Sequence, residues 1–420
     1  MEFTTIKGFR DILPDEIPYW HMLESEARKL FESYGFQEIR TPIIEKTELF
    51  NRSIGQETDI VSKEMYTFQD SKGRNLSLRP EATASVVRAY IQNRLYQRGG
   101  VTKLYSIGPM FRHERPQKGR FRQFHQINVE QFGDPGPISD AELIIMITNL
   151  LERIGLKNRL RLNINSLGCR ECRPVFRDKL KDYLQDKIDT FCADCQRRIA
   201  LNPLRVFDCK IESCQEGIKD APVILEFLCD DCKEHFFQVQ GILKDFDVEF
   251  FINPRLVRGL DYYTRTTFEI HTDELGAQNA IAGGGRYDGL VRLLGGPDQP
   301  AIGFAIGMER AISLLQIKRP IKENGPDLFV AALGKESKRI TFPWVIWLRN
   351  RGLWVEMEFE DKGLKAQMKR AGRMNAKKVL IIGENELSSK KAILRDMKTG
   401  KQKKVNIEDV ENIYEAVSGC

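Results

Sequence analysis

Cysteine is unevenly distributed in this chain of 420 residues, and its distribution limits how the chain can be organised. Eight of the nine cysteines lie between Cys169 and Cys232. The sequence on either side of this block alternates strand-like and helical patterns, whereas the block itself breaks that rhythm. We therefore expect residues 169–240 to be a cysteine-rich insertion in one larger, discontinuous domain made of residues 1–168 and 241–320. A chain of this length is expected to form two or three domains.

The last part of the chain, residues 326–420, has the pattern of a separate small domain. Strand-like and helical segments alternate in it, which is typical of an α/β unit. It carries 19 lysines and arginines against 13 aspartates and glutamates, so the whole net charge of +6 resides there. A basic domain beside a neutral body favours contact with a polyanion, most often nucleic acid, but a solvated lysine-rich surface explains the same balance equally well.

Composition argues against membrane, fibrous and disordered proteins. Hydrophobic residues make up 41% of the chain and charged residues 30%, which is close to the average for globular proteins. The longest strongly apolar stretch, Leu143–Leu151, is too short to span a bilayer. Residues 1–10 lack the apolar core of a secretory signal. We therefore expect a folded protein without a membrane span, located in the cytoplasm.

The segment Gln123–Glu130 alternates residue types as a β-strand does. Such a strand directs Gln126, Asn128 and Glu130 to one face and the apolar residues between them to the other. A row of polar side chains on one face of a strand is either solvated or lines a pocket.

The segment Phe111–Phe124 just before it is the most basic short stretch of the chain. Its basic residues surround Pro116 and Gly119, and they are Arg112, Arg115, Lys118, Arg120 and Arg122. On a strand–turn–strand unit, such a group is suited to clamp a polyphosphate, because guanidinium groups form paired contacts with phosphate oxygens. The alternative is a basic hairpin on the surface.

Three segments in order along the chain strengthen the first interpretation. They are Phe36–Pro42, a strand-like run ending in proline; Arg112–Glu114, in the basic hairpin; and Gly307–Arg310, a glycine three residues before an arginine. Together they resemble the three-motif signature of class II aminoacyl-tRNA synthetases. Three motifs in this order are far more specific than any one of them.

Two further segments indicate the amino acid. Leu256–Arg265 and Ala282–Gly289 resemble the two histidine-specific motifs of the histidyl-tRNA synthetase family, and Lys7–Asp11 and Leu78–Thr83 fit the same family. The resemblance implies an α+β fold. Its class II catalytic domain, an antiparallel sheet flanked by helices, would carry the cysteine-rich insertion and precede a C-terminal α/β anticodon-binding domain.

The resemblance also implies roles for individual residues. Histidine would be bound by Glu81, Thr83, Gln126, Glu130, Tyr262 and Tyr263. ATP would be bound by Arg112, Arg120, Arg122, Arg258 and Arg310. Of these, Arg112 and Arg258 would contact the α-phosphate and Arg310 the γ-phosphate, and these three are the expected catalytic residues. The implied partners are L-histidine, ATP with Mg²⁺, tRNA(His) and a second copy of the chain. In this homodimer, the strand after Gly35 and the helix before it would build the interface.

Two features near these motifs leave their roles open. The run Gly283–Gly285 would let a backbone approach the substrate where a Cβ atom would clash. Asp261 and Asp288 either contact a ligand or hold a neighbouring arginine or tyrosine.

The cysteines are explained least by the resemblance. Their C-x2-C and C-x4-C spacings suit tetrahedral zinc, and disulfides are less expected in a cytoplasmic protein. We expect one or two structural Zn²⁺ ions, with Cys192, Cys195, Cys229 and Cys232 as the candidate ligands and the choice of pairs open. The alternative is free or partly unpaired thiols.

Two other functions are alternatives to the synthetase activity that the resemblance implies. One is a catalytically inactive relative that regulates the first enzyme of histidine biosynthesis, against which the presence of Arg112, Arg258 and Arg310 argues. The other is a zinc-ribbon protein that binds nucleic acid through the cysteine block, which would leave the remaining motifs without purpose.

Overall fold

The computed structural model describes residues 3–55, 58–117, 119–156, 159–275, 279–318 and 325–419. Lys118 of the basic hairpin and Cys420 therefore lie outside the described residues. The chain divides into two compact units, residues 1–320 and 321–420. Within the described residues, no helix combines the length and the apolar character needed to cross a membrane.

The first unit contains the following strands: β1 Gln37–Glu38, β2 Ile44–Lys46, β3 Thr67–Gln69, β4 Asn75–Leu78, β5 Thr102–Phe111, β6 Gln123–Phe132, β7 Arg161–Ser166, β8 Phe251–Ile252, β9 Thr264–His271, β10 Ala280–Arg286 and β11 Ala301–Gly307. Its helices are α1 Ile17–Ser33, α2 Thr47–Ile54, α3 Thr83–Gln92, α4 Pro137–Arg153, α5 Cys172–Gln185, α6 Ala193–Leu201, α7 Glu212–Gly217, α8 Asp230–Asp245, α9 Leu290–Leu293 and α10 Met308–Lys318.

A large sheet forms the centre of this unit. Among the described residues it has eight strands in the order β1-β5-β6-β11-β10-β9-β7-β8, and a smaller sheet has the order β2-β4-β3. In the centre of the sheet, each strand from β5 through β6, β11 and β10 to β9 is antiparallel to the next. At the two edges, β1 runs parallel to β5 and β8 runs parallel to β7. The expected antiparallel sheet flanked by helices is therefore confirmed.

The first motif forms a shorter strand than its sequence predicts. Of Phe36–Pro42, only Gln37 and Glu38 belong to a strand, where they pair with β5. The Ile39 N–H still donates to the Tyr105 carbonyl at 2.8 Å, but Pro42 has no N–H with which to continue the ladder.

Helix α1 shows how the sequence pattern fixes the helical layer. Leu23, Ala27 and Leu30 are three or four residues apart and fully buried, so they form one apolar face. Pro18 is tolerated because it lies in the first turn, where the backbone N–H has no partner within the helix. This face packs against α4 and α10.

The cysteine-rich insertion leaves and re-enters the large sheet at neighbouring strands. It follows β7, contains α5 to α8, and returns to the sheet at β8, which pairs with β7. Helix α8 extends five residues beyond the expected boundary at residue 240. The insertion has its own core, in which Phe176, Leu180 and Ile199 pack against buried cysteines.

The second unit is a small α/β domain, as its pattern predicts. Its elements are β12 Leu328–Ala332, α11 Gly334–Asn350, β13 Val355–Met357, α12 Leu364–Arg373, β14 Lys378–Ile382, α13 Glu384–Ser389, β15 Lys391–Asp396, β16 Gln402–Asn406 and α14 Val410–Ser418. The strand order within the described residues is β13-β12-β14-β15-β16, with the last two strands antiparallel. That final hairpin and α14 were not predicted, because β16 buries only Val405 and carries little apolar signal.

A buried ion pair ties the sheet to the helices. Arg286, at the end of β10, and Asp140, in α4, are both fully buried, and the Arg286 Nε donates to Asp140 at 3.0 Å. Further Arg286 N–H groups donate to the carbonyls of Asp134 at 2.9 Å and Gly136 at 3.0 Å. The other Asp140 oxygen lies 2.8 Å from Nε2 of His235 in α8, so the network reaches the insertion.

Removal of this arginine should destabilise the first unit strongly. Arg286→Met leaves the Asp140 carboxylate buried without its main counter-charge, which typically costs about 3–5 kcal/mol. We expect the free energy of unfolding, measured by urea titration, to fall by about that amount. Arg292→Met, at an exposed arginine six residues further on, is the control and should change it by less than about 0.5 kcal/mol. Equal stability of the two variants would contradict the role given to the buried pair.

Candidate active site

A cavity of about 290 Å³ opens at the centre of the large sheet. The strands β6, β9, β10 and β11, the basic hairpin, the start of α10 and the loop Leu256–Tyr263 contribute to its wall. Of the residues predicted as site residues, it brings together Glu81, Thr83, Arg112, Arg120, Gln126, Arg258, Tyr262, Tyr263 and Arg310.

The arginines on the hairpin side are held by backbone carbonyls. The Arg112 Nε donates to the Pro80 carbonyl at 2.9 Å, and its guanidinium lies 5.3 Å from the centre of the Phe124 ring. Arg310, in the first turn of α10, donates to the carbonyls of Gly119 at 3.1 Å and Ala280 at 2.6 Å. These contacts fix the position of both guanidinium groups, and Arg112 also lies 3.7 Å from a carboxylate oxygen of Glu114.

Arg258 is held by the loop and by two strands. It forms an ion pair with Glu269 of β9, and its guanidinium lies 5.6 Å from the centre of the Tyr263 ring. A Cβ atom at Gly283 would clash with this guanidinium, so part of the glycine run makes room for Arg258. The buried Arg258 Nε has no hydrogen-bond partner within the described residues, and it is free to donate to a ligand.

Four arginines line this part of the cavity, and the carboxylates of Glu114 and Glu269 pair with some of them. Burial lowers the pKa of Arg310, and the charges of Arg120 and Arg112 lower it further. Burial likewise lowers the pKa of Arg112, with a smaller contribution from Arg258. An anion entering the cavity would relieve this repulsion.

The cavity wall also offers polar acceptors. Gln126 lines it from β6, and its buried Oε1 accepts no hydrogen bond within the described residues. The Glu81 carboxylate accepts the backbone N–H groups of Thr83 at 2.7 Å and Ala84 at 2.8 Å, which fixes the start of α3. Burial raises the pKa of Glu81.

Glu130 lies behind this wall and does not line the cavity among the described residues. It accepts the Thr83 hydroxyl at 2.6 Å and is also bonded to the Tyr287 hydroxyl. A Cβ atom at Gly303 would clash with its carboxyl group. Burial raises the pKa of Glu130 to about 8.

Arg122 likewise does not line the cavity among the described residues. Its guanidinium donates to the Glu114 carbonyl at 3.1 Å and to the Lys7 carbonyl at 3.4 Å. It therefore braces the hairpin against the N-terminal segment, because its side chain turns away from the cavity.

The two open aspartates both pair with arginines. Asp261 accepts from Arg205 of the insertion at 3.0 Å, and Asp288 accepts from Arg286 at 3.1 Å. Neither lines the cavity.

Sequence reasoning missed the carboxylates of the cavity. Glu114, Glu269 and Glu309 line it, and Glu309 accepts the backbone N–H of His125 at 2.9 Å. Glu269 could have been found from the sequence, because it is an acidic residue between the apolar residues Phe268 and Ile270 of a strand-like segment.

The cysteines form two separate groups. The first cluster is Cys169, Cys172, Cys229 and Cys232; the second cluster is Cys192, Cys195, Cys209 and Cys214. Within each, all sulfur atoms lie within 4.8 Å of one another. The expected set of Cys192, Cys195, Cys229 and Cys232 is therefore wrong as a single site, because the fold assigns its two pairs to different clusters.

The sulfur separations distinguish a metal site from a disulfide. Cys169 Sγ lies 3.5 Å from Cys172 Sγ and 3.9 Å from Cys229 Sγ, and Cys192 Sγ lies 4.0 Å from Cys209 Sγ. Four sulfurs at about 2.3 Å from a tetrahedral zinc ion are roughly 3.8 Å apart. A disulfide would require about 2.05 Å.

The first comparison with known proteins concerns family models. The model described as histidyl-tRNA synthetase matches residues 8–311, and that described as an anticodon binding domain matches residues 343–416. The first match spans the large sheet, the cavity and the insertion.

Curated relatives and solved structures agree with it. The histidine–tRNA ligases of Desulfosudis oleivorans and Desulfatibacillum aliphaticivorans are each 55% identical to this chain, over 406 and 403 residues, with 96% of both chains covered. The apo histidyl-tRNA synthetase of S. aureus superposes with a TM-score of 0.81 at 34% identity, over 100% of this chain and 99% of that one. An ATP phosphoribosyltransferase regulatory subunit/histidyl-tRNA synthetase from Bacillus halodurans, with a TM-score of 0.66 at 19% identity over 91% of this chain and 99% of that one, shares the fold alone. The chain therefore belongs to the histidyl-tRNA synthetase family, the histidine–tRNA ligases of class II.

Proposed function

We propose that the cavity is where this histidine–tRNA ligase makes histidyl-adenylate. The observation that carries the proposal is that a cluster of arginines and a group of polar acceptors share one cavity. ATP requires the first, and histidine, with its ammonium and imidazole N–H groups, requires the second.

The chemistry needs no nucleophile from the protein. The histidine carboxylate attacks the α-phosphorus of ATP, a new P–O bond forms, and the bond to the leaving pyrophosphate breaks. The adenylate then transfers histidine to the 3′ end of tRNA(His) and releases AMP. Negative charge accumulates on phosphate oxygens in the transition state, so fixed cations lower the barrier.

The arginines would divide this task by position. Arg258 lies between the tyrosines of the loop and Glu269, and its unpartnered Nε suits the α-phosphate together with the histidine carboxylate. Arg112 would hold the α-phosphate from the hairpin, and Arg310 would hold the γ-phosphate from α10. Arg120, which lines the same cavity, would add a further contact to ATP.

Histidine would bind at the polar acceptors of the cavity wall. Gln126 Oε1 is the acceptor best suited to an N–H group of the ligand, because it has no partner within the described residues. Glu81, Thr83, Tyr262 and Tyr263 would complete the pocket. Glu130 would act from behind by holding the Thr83 and Tyr287 hydroxyls.

Class II synthetases use ATP together with Mg²⁺, and the cavity has suitable ligands for it. Mg²⁺ prefers oxygen, and the carboxylates of Glu269 and Glu309 line the cavity beside the arginines. When bound, the ion would neutralise part of the phosphate charge.

Other parts of the chain would serve the tRNA and the assembly. Residues 326–420 would bind the anticodon, which the match of an anticodon-binding model supports. Residues 1–168 and 241–320 would form the catalytic domain around the 169–240 insertion. Its homodimer and its place in the cytoplasm stay predictions; β1, just after Gly35, lies at an edge of the large sheet.

The two cysteine clusters would each hold a structural Zn²⁺ ion. Four thiols at separations close to those of a tetrahedral site support this. Free thiols would have no need to converge in fours.

Loss of Arg258 should slow adenylate formation. Removal of one fixed cation or donor at a developing charge typically costs 100-fold or more in rate. We expect Arg258→Ala to reduce the single-turnover rate of histidine activation by about that factor, with an unchanged circular dichroism spectrum. Arg255→Ala, at an arginine of the same segment that does not line the cavity, is the matched control and should retain the rate within a few-fold. Near-normal activation by Arg258→Ala would refute its assignment.

The pKa of Glu130 predicts a pH-dependent stability. Between its ordinary value of 4.5 and its value of about 8, the folded protein holds a proton that the unfolded chain releases. The free energy of unfolding therefore decreases as the pH rises through this window, by at most about 1.4 kcal/mol per pH unit. Glu130→Gln removes the titration, so its stability relative to the wild type should increase by about 2–3 kcal/mol from pH 5.5 to pH 8.

Urea unfolding at the two pH values checks this. Glu48→Gln, at an exposed carboxylate, is the control and should follow the wild type. If the free energy of unfolding of Glu130→Gln changes with pH as that of the wild type does, Glu130 is not protonated in the folded protein.

Zinc content is measured directly. Protein purified without added metal should contain about two zinc ions per chain, because each cluster supplies one complete set of four thiols. Inductively coupled plasma mass spectrometry measures this content. Less than half an equivalent would refute structural zinc.

A further inference from the structure

The loop Leu256–Tyr263 carries Arg258, Tyr262 and Tyr263 to the cavity but belongs to no strand or helix. Its backbone is held by hydrogen bonds from outside the loop. The Asp261 N–H donates to the Ile54 carbonyl at 3.2 Å, and the Leu256 carbonyl accepts from Asn165 at 3.0 Å. Further hydrogen bonds to the loop come from side chains of the insertion.

The first cluster is connected to this loop through Arg173. Arg173 follows the cluster ligand Cys172, and its backbone N–H donates to the carbonyl of Cys169, another member of the cluster, at 3.1 Å. Its guanidinium donates to the Tyr263 carbonyl at 2.9 Å and also contacts the Asp261 carbonyl at 3.4 Å. One residue therefore joins the first cluster to the loop beside both tyrosines.

The second cluster reaches the same loop through a side chain. Asn202 and Arg205 both donate to one carboxylate oxygen of Asp261, each at 3.0 Å. The two donors lie between Cys195 and Cys209, which are both members of the second cluster. A metal ion bound there would close this segment at both ends.

The insertion is a small unit whose buried cysteines belong to its core. Its helices α6 and α7 have nine and six residues, and the cysteines themselves form part of its small core. Units of this size commonly depend on a metal or a disulfide for a stable fold. Without metal, the insertion would loosen Arg173, Asn202 and Arg205 before the large sheet is affected.

We propose that the metal-bound insertion clamps the loop Leu256–Tyr263, so that occupancy of the two clusters sets the affinity for histidine. Arg173, Asn202 and Arg205 are positioning residues in this account, since they contact the loop and act through Arg258 and the tyrosines. The proposal rests on the proposed function of the cavity and adds a dependence of that site on the insertion.

Arg173→Gln tests the first connection without removing a cysteine. Loss of a charged donor to two carbonyls should weaken histidine binding about tenfold, as measured by calorimetry. The affinity for ATP should fall less than that for histidine, because Arg112, Arg120 and Arg310 lie outside the loop, and the zinc content should stay at the wild-type level. Arg177→Gln, one turn further along α5 at an exposed arginine, is the matched control and should bind both ligands normally. Unchanged histidine affinity in Arg173→Gln would overturn the clamp.

Cysteine variants test the dependence on metal. Cys169→Ser and Cys209→Ser should each lose about one zinc ion per chain and show the same selective loss of histidine affinity. A variant that has lost its zinc and still binds histidine normally would overturn the proposal. If a cysteine variant does not fold, Arg173→Gln still decides the question. Wild-type protein that binds no histidine would instead refute the function of the cavity, whatever its zinc content.

Discussion

Repulsion between guanidinium groups is the constraint around which the first unit is organised. Arg112, Arg120, Arg258 and Arg310 line one cavity, and for Arg112, Arg120 and Arg310 burial and the charge of a neighbouring arginine both lower the pKa. Four cations stay together only if other groups hold each of them. The Pro80, Gly119 and Ala280 carbonyls hold Arg112 and Arg310, and the carboxylates of Glu269 and Glu114 pair with Arg258 and Arg120. These groups come from widely separated parts of the chain. The sheet brings these parts together.

Motif order and strand periodicity predicted the class of fold and most of the cavity. The polar face of β6 is real, but periodicity gives only the direction of a side chain and not its depth. Gln126 reaches the cavity, whereas Glu130, four residues further on, lies opposite Gly303 and is enclosed there. The contacts of Arg122 could not be predicted for a related reason. Its partners are backbone carbonyls, one of them Lys7, and sequence carries no mark of such contacts.

The cysteines show a second limit. Spacing identifies the close pairs, but which pairs converge depends on how the helices of the insertion pack. The pair of Cys229 and Cys232, at the start of α8, meets the pair at the start of α5, because the insertion begins and ends beside β7 and β8. The four cysteines between these two pairs in the sequence form the second cluster. Metal binding would thus stabilise the insertion at two places: the first cluster, where the insertion begins and ends, and the second cluster, within it.

The central claim is that one cavity joins histidine to AMP. The most direct test is exchange of labelled pyrophosphate into ATP by the wild-type chain, measured with each of the twenty amino acids in turn. Exchange reports reversible adenylate formation, so it needs neither tRNA nor the second unit. The account predicts exchange with histidine alone. Exchange with no amino acid, or with another one in place of histidine, would contradict it.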